Sequence, residues 1–171
     1  VANAIDHGVP AMAAATVLSA AGLASLTGKI VCGLVADRVG AKRVLVAGLA
    51  LQAVAVSLYL FTRDLTGFYG VGLAFGFAYG GVMPLYAIIV REYFGERIMG
   101  TLFGAVALTS TVAMALGPVV GGWLYDAFGS YAWMFVGSSA IGFAAAAIAL
   151  AFRPPHPREA PLLLTPGAAA P

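Results

Sequence analysis

Five long stretches of this 171-residue chain carry no charge at all. They run from Gly8 to Gly28, Val44 to Thr62, Leu65 to Val90, Ile98 to Tyr125 and Ala127 to Phe152, lengths of 21, 19, 26, 28 and 26 residues. A helix crossing the roughly 30 Å hydrocarbon layer of a bilayer needs about 20 apolar residues. Each run reaches or approaches that length, so each predicts a spanning helix. The expected helices cover approximately 9–35, 43–62, 66–91, 99–125 and 130–152. The fold class that follows is an all-α integral membrane unit with five transmembrane helices. The strand alternative is weak, because the runs are continuous in Ala, Leu and Gly and lack the period-two pattern of an outer-membrane barrel. A buried soluble bundle is the other alternative, but its outer faces would still need charge.

Composition agrees. The chain is 61% hydrophobic and 9% charged, against about 25% charged residues in an ordinary soluble domain. One cysteine, Cys32, rules out a disulfide scaffold. A net charge of +2 offers no nucleic-acid surface. No basic region followed by an apolar core opens the chain, which begins at Val1. We therefore expect a fragment, with Val1–Ile5 as the end of an earlier helix. The cations Arg38, Lys42, Arg43, Arg91, Arg97, Arg153 and Arg158 fall on one set of loops and Arg63 alone on the other. The positive-inside bias makes the first set cytoplasmic. The C-terminus is then cytoplasmic too, in a plasma or inner membrane. Residues 153–171 hold six of the nine prolines and read as a disordered cytoplasmic tail. His156 is solvated there, and the sequence implies no metal and no cofactor.

Two segments 89 positions apart resemble each other. Gly28, Gly33, Asp37 and Gly40 have counterparts in Gly117, Gly122, Asp126 and Gly129, while Val17, Ala24 and Gly48 recur as Val106, Ala113 and Gly137. Each copy closes one helix and opens the next. The copies lie three spans apart, which puts them on opposite sides of the membrane. Inverted three-helix repeats of this kind occur in secondary transporters.

The segment Gly33-Leu34-Val35-Ala36-Asp37-Arg38-Val39-Gly40-Ala41-Lys42-Arg43 resembles the signature loop of the major facilitator superfamily, G-x-x-x-D-R-x-G-x-[KR]-[KR]. Gly117-Pro118-Val119-Val120-Gly121-Gly122 resembles that superfamily's G-P-x-x-G-G helix element. The resemblance covers nearly the whole chain. It implies a twelve-helix fold in which these spans are helices eight to twelve of the C-terminal six-helix bundle, with Val1–Ile5 ending helix seven. Arg91-Glu92-Tyr93-Phe94-Gly95-Glu96-Arg97, followed by Gly100 and Gly104, is similar to the monocarboxylate and oxalate–formate exchanger branch, as is Gly28-Lys29.

Lys29 is the one cation inside an expected span. An ammonium at that depth faces a cavity or a partner, or snorkels toward the surface along its stem. The first reading makes it a site for an anionic substrate. The resemblance adds that relatives of the exchanger branch carry a basic residue, commonly Arg, at this place. Lys lacks the bidentate grip of Arg on a carboxylate, but it opens a route to proton coupling. Tyr79 and Tyr86 share a helix face with Phe75 and offer hydroxyls to a polar solute, or serve as packing and interfacial aromatics. Thr109, within Thr109-Ser110-Thr111, is a further candidate substrate contact; such hydroxyls otherwise bond to their own helix. Gln52 and Ser57 read as helix–helix contacts. Pro84, Gly117 and Pro118 are candidate kink positions. Gly72, Gly76 and Gly80 form a ridge for close helix approach. The signature segment supplies gate residues by resemblance: Gly33, Asp37, Arg38, Gly40, Lys42 and Arg43, with Asp37 meeting a helix end of the opposite half. Asp6-His7 reads as an exposed outer loop, with an outer proton-titrating pair as the alternative.

The function these features imply is alternating-access transport of a small organic anion, a monocarboxylate or dicarboxylate. The partners are the lipid bilayer, the missing N-terminal half, the anionic solute and a coupled proton; no nucleic acid is expected. The alternatives are another solute class, such as a sugar or drug, and a channel or non-transporting scaffold. An intramembrane enzyme is disfavoured, since the expected spans hold no acid or histidine and one lone cysteine.

Overall fold

The computed structural model describes residue 5, residues 10–95 and residues 97–152. Of Val1–Ile5 only Ile5 is among them. The expected helix end there, Asp6-His7 and the expected tail at 153–171 lie outside the described residues.

Five helices follow one another: α1 (Ala11–Val39), α2 (Ala41–Leu58), α3 (Leu65–Phe94), α4 (Met99–Phe128) and α5 (Ala132–Ala151). All five are long and apolar enough to cross a membrane. The shortest, 18 residues, spans about 27 Å at 1.5 Å per residue, close to a hydrocarbon thickness. The bundle's outside is apolar: Leu108 is 67% exposed, Met114 70% and Ile141 72%. Large apolar side chains in such numbers on an outer surface belong in lipid rather than water, which disposes of the soluble-bundle alternative.

Local chemistry sets the helix ends. Pro10, just ahead of α1, fixes its own φ at −55°, as the ring requires. Asp64 caps α3 by accepting a hydrogen bond from the Gly67 amide at 3.1 Å, satisfying one of the unpaired donors of the first turn. The signature segment departs from its expected form. It reads as a loop on account of its charges, yet α1 continues through Asp37 and Arg38 to Val39, and Gly40 alone separates α1 from α2. Charged side chains at the rim of a membrane do not stop a helix. Gly40 does, by adopting φ +94°, a conformation that only glycine takes without strain.

Tight glycine contacts join α1 to α3. A β-carbon on Gly28 would lie 2.0 Å from the Phe77 carbonyl oxygen, one on Gly76 2.2 Å from that of Ala21, and one on Gly80 2.1 Å from that of Ser25. The backbones meet where side chains are missing, as in small-residue membrane interfaces. The ridge read from Gly72, Gly76 and Gly80 therefore has its partner in Val17, Ala21 and Ser25. α2 packs on α3, with Gly48 under Val82, and on α5, with Gly142 against Ala53. One core cluster joins Ala36, Ala41, Val44, Leu45, Val82 and Leu85, with Ala149 beside it. A second joins Ala14 and Phe68, with Val17 and Tyr59 alongside. The first marks one end of the bundle and the second the other. α4 stands apart, and Gly121 is its only buried residue among those described.

Candidate functional site: an inverted repeat around Lys29

The two repeat copies share a positive-φ glycine at the helix end, although ψ differs, 138° at Gly40 and 17° at Gly129. Gly40 and Gly129, equivalent by the 89-residue offset, both have positive φ, +94° and +62°. Each donates its amide to the carbonyl four residues back, Gly40 to Ala36 at 2.9 Å and Gly129 to Tyr125 at 2.7 Å. Each ends a long helix, of 29 and 30 residues, ahead of a shorter one, of 18 and 20.

The copies lie at opposite ends of the bundle. Lys42, just after the Gly40 turn, donates to the carbonyls of Leu150 and Phe152 at the close of α5. Tyr59, at the far end of α2, stacks on Phe135 near the start of α5, with ring centroids 5.6 Å apart. The start of α5 follows the Gly129 turn, so the two turns face away from each other across the membrane. Arg38, Lys42, Arg43 and Arg91 gather at the Gly40 end, whereas Arg63 follows α2 at the other.

Lys29 is exposed on α1, one residue from the Gly28 close approach to α3. Seven residues separate it from Ala36, about 10 Å along the helix. Counting about 100° per residue from the seam, Lys29 and Tyr79 project from the same side of the α1–α3 pair. Tyr79 is 39% exposed and stacks on Phe75 with ring centroids 6.0 Å apart. Tyr86 sits differently, packed against the cluster that holds Ala36 and Val44. Thr109, Ser110 and Thr111 each donate to the carbonyl four residues back in α4, Ala105, Val106 and Ala107, all at 2.9 Å. Among the described residues no hydrogen bond links Lys29, Tyr79, Tyr86 and Thr109 to one another. Gly33 has open space where a β-carbon would stand, and so does Gly117. Pro84 and Pro118 are contained in continuous helices, α3 and α4. Asp37, Arg38 and Arg43 are exposed, whereas Lys42 is half-buried.

A cavity of about 650 Å³ opens among α1, α2, α3 and α5 in the half of the bundle away from Gly40, with Val17, Gln52, Tyr59, Phe75, Phe135 and Ser138 on its wall. No charged residue lines it. The sequence pointed to Phe75 as an aromatic of a cavity face but gave Gln52 to helix packing. Gln52 instead helps line this space. Its polar side chain in an otherwise apolar run was the available signal.

Five helices long and apolar enough to cross a membrane, with a positive-φ glycine turn at each end of the bundle, define an all-helical membrane unit. The model of the Major Facilitator Superfamily matches residues 2–169, and the chain belongs to that family. Monocarboxylate transporter 13 of Bos taurus is 28% identical over 158 residues, 91% of this chain and 37% of its own length. The chloramphenicol resistance protein CraA of Acinetobacter baumannii is 30% identical over 131 residues, 77% and 32% of the two chains. The MFS-type transporter YhjX of Escherichia coli is 24% identical over 109 residues, 63% and 27%. The chain spans about a third of the length of the curated relatives it matches.

Proposed function

We propose that the chain is the C-terminal half of a secondary transporter that moves a small organic anion, a monocarboxylate or dicarboxylate, by alternating access. The observation that carries this reading is Lys29: an exposed ammonium about 10 Å inside the cytoplasmic rim, next to the tightest helix crossing in the bundle. A fixed cation there lowers the cost of bringing a carboxylate out of water. Tyr79 offers a hydroxyl from the same side. Thr109 keeps acceptor lone pairs beyond the bond it donates, and Tyr86 stands further back in the packing. The family membership supports transport, and the relative named as a monocarboxylate transporter supports the anion class.

The opposite half would seat against α4 and the gate residues. Asp37, Arg38 and Arg43 are exposed at the cytoplasmic end, and Gly33 and Gly117 present open backbone to an incoming helix. Small residues suit such contacts because they permit close approach and sliding. Pro84, Gly117 and Pro118 supply positions where α3 and α4 can bend between states. A coupled proton completes the scheme, in a plasma or inner membrane with the C-terminus cytoplasmic.

Uptake of radiolabelled lactate and oxalate by the full transporter carrying this segment tests the reading. Lys29→Gln should abolish saturable uptake of whichever carboxylate the parent carries, and Lys29→Arg should keep part of it. Undiminished uptake by Lys29→Gln for every carboxylate carried removes Lys29 from the site. An imposed pH gradient that leaves uptake unchanged removes the proton.

A second reading has its own support. The uncharged cavity around Phe75, together with the relative named for chloramphenicol resistance, favours an uncharged aromatic solute. Chloramphenicol export that survives Lys29→Gln but falls with Phe75→Ala would select it.

A further inference from the structure

The cations of the signature segment do not share one role. Arg38 and Arg43 are exposed, whereas Lys42 is half-buried. Its ammonium donates to two backbone carbonyls from the far end of the chain, Leu150 at 2.9 Å and Phe152. Leu150 lies in the last turn of α5 and Phe152 caps it. The final carbonyls of a helix have no partners within it and carry the negative end of its dipole. A lysine there is a favourable C-terminal cap, here supplied across 108 residues of sequence.

This contact completes a set along the α2–α5 pair. Tyr59 stacks on Phe135 at the outer end, Gly142 meets Ala53 in the middle, and Lys42 closes the cytoplasmic end. Lys42 sits two residues beyond the Gly40 turn. That turn is a single residue long, so the position of Lys42 also sets that of Asp37 and Arg38 on the last turn of α1. The repeat mate of Lys42 is Tyr131, so the outer turn has no cation in the corresponding place.

We propose that Lys42 is a positioning residue that clasps the end of α5 to the signature turn, so that the cytoplasmic end of α2, the gate-bearing end of α1 and the end of α5 move as one body. The proposal rests on the transport reading for its uptake measurement only. In the full transporter with Cys32→Ser, the pair Lys42→Cys and Phe152→Cys should be joined by a short bismaleimide in native membranes. A cysteine at Phe152 alone should react several-fold faster with a membrane-impermeant maleimide in inside-out vesicles when Lys42→Gln is added, and at nearly the parental rate with Lys42→Arg. Lactate uptake should fall about tenfold in maximal rate for Lys42→Gln at unchanged KM, the factor expected for one charge-assisted hydrogen bond, with Lys42→Arg restoring it. Absence of the crosslink, unchanged reactivity at residue 152 in Lys42→Gln, or Lys42→Arg as impaired as Lys42→Gln would each overturn the clasp. Should Lys42→Gln fail to fold, Lys42→Met takes its place in the labelling assay with the same expected outcome, and absence of the crosslink still overturns the clasp. If the parent carries no carboxylate at all, the uptake arm counts against the transport reading, and the crosslink and labelling decide the clasp alone.

Discussion

Replacing Gly80 with alanine tests the helix seam at one of its closest approaches. The new β-carbon would stand 2.1 Å from the Ser25 carbonyl oxygen and 2.5 Å from the Ser25 hydroxyl. Ordinary contact begins at 3.4 Å, so the helices must part by about 1.3 Å; a gap of even 0.5–1 Å forfeits roughly a quarter to a half of each contact's dispersion energy. A carbonyl cannot rotate aside as a side chain would. Overpacking of this kind costs about 1–3 kcal/mol, offset by at most about 1 kcal/mol of helix propensity. The net expectation is a loss of about 1–2 kcal/mol, or roughly five- to thirtyfold in the folding equilibrium. The control is Gly70→Ala on the same helix, α3, where nothing lies within 4 Å of the added carbon. Unfolding of the full transporter in bicelles, followed by a steric-trap assay, reads both. If Gly80→Ala proved as stable as Gly70→Ala, the close α1–α3 packing described above would be wrong.

Further outcomes follow from other positions. Gly40→Ala forces an L-residue to φ +94° and should cost about 1–3 kcal/mol, seen as a lower unfolding temperature; Gly129→Asn, in the milder left-handed region at φ +62°, should cost under about 1 kcal/mol. Asp64→Ala removes the cap on Gly67 and should destabilise by about 1 kcal/mol, with Asp64→Asn recovering most of it in the same assay. Thr111→Val deletes a hydroxyl bonded to its own helix at Ala107; since such bonds contribute little, stability and uptake should stay within about twofold of the parent, and a larger loss of uptake would show the hydroxyl reaching solute.

Much of this architecture was legible because lipid imposes length. A bilayer demands unbroken apolar runs, so five runs in the sequence became five helices. The repeat was legible because backbone reversal restricts residue choice: Gly40 and Gly129 recur at one offset and both take positive φ. Charge misled at the rim. Asp37 and Arg38 read as loop, although a helix tolerates such residues in its last turn and only Gly40 breaks it. Contacts between distant segments were not legible at all. Nothing near Lys42 announces Leu150 as its acceptor, and nothing in Gly76 or Gly80 names Ala21 and Ser25 as the backbone they meet. The candidate solute contacts divided for a similar reason: Tyr79 and Tyr86 share a face on a helical projection, but the packing of α2 against α3 covers the second more than the first.

The inverted repeat is the feature on which the transport account turns, and sidedness tests it directly. Single cysteines at Arg43 and Ser130, in the full transporter lacking Cys32, would be exposed to an impermeant maleimide in sealed right-side-out vesicles. The account predicts that residue 130 reacts at once and residue 43 only after permeabilisation. Reaction of both from the same side would contradict it.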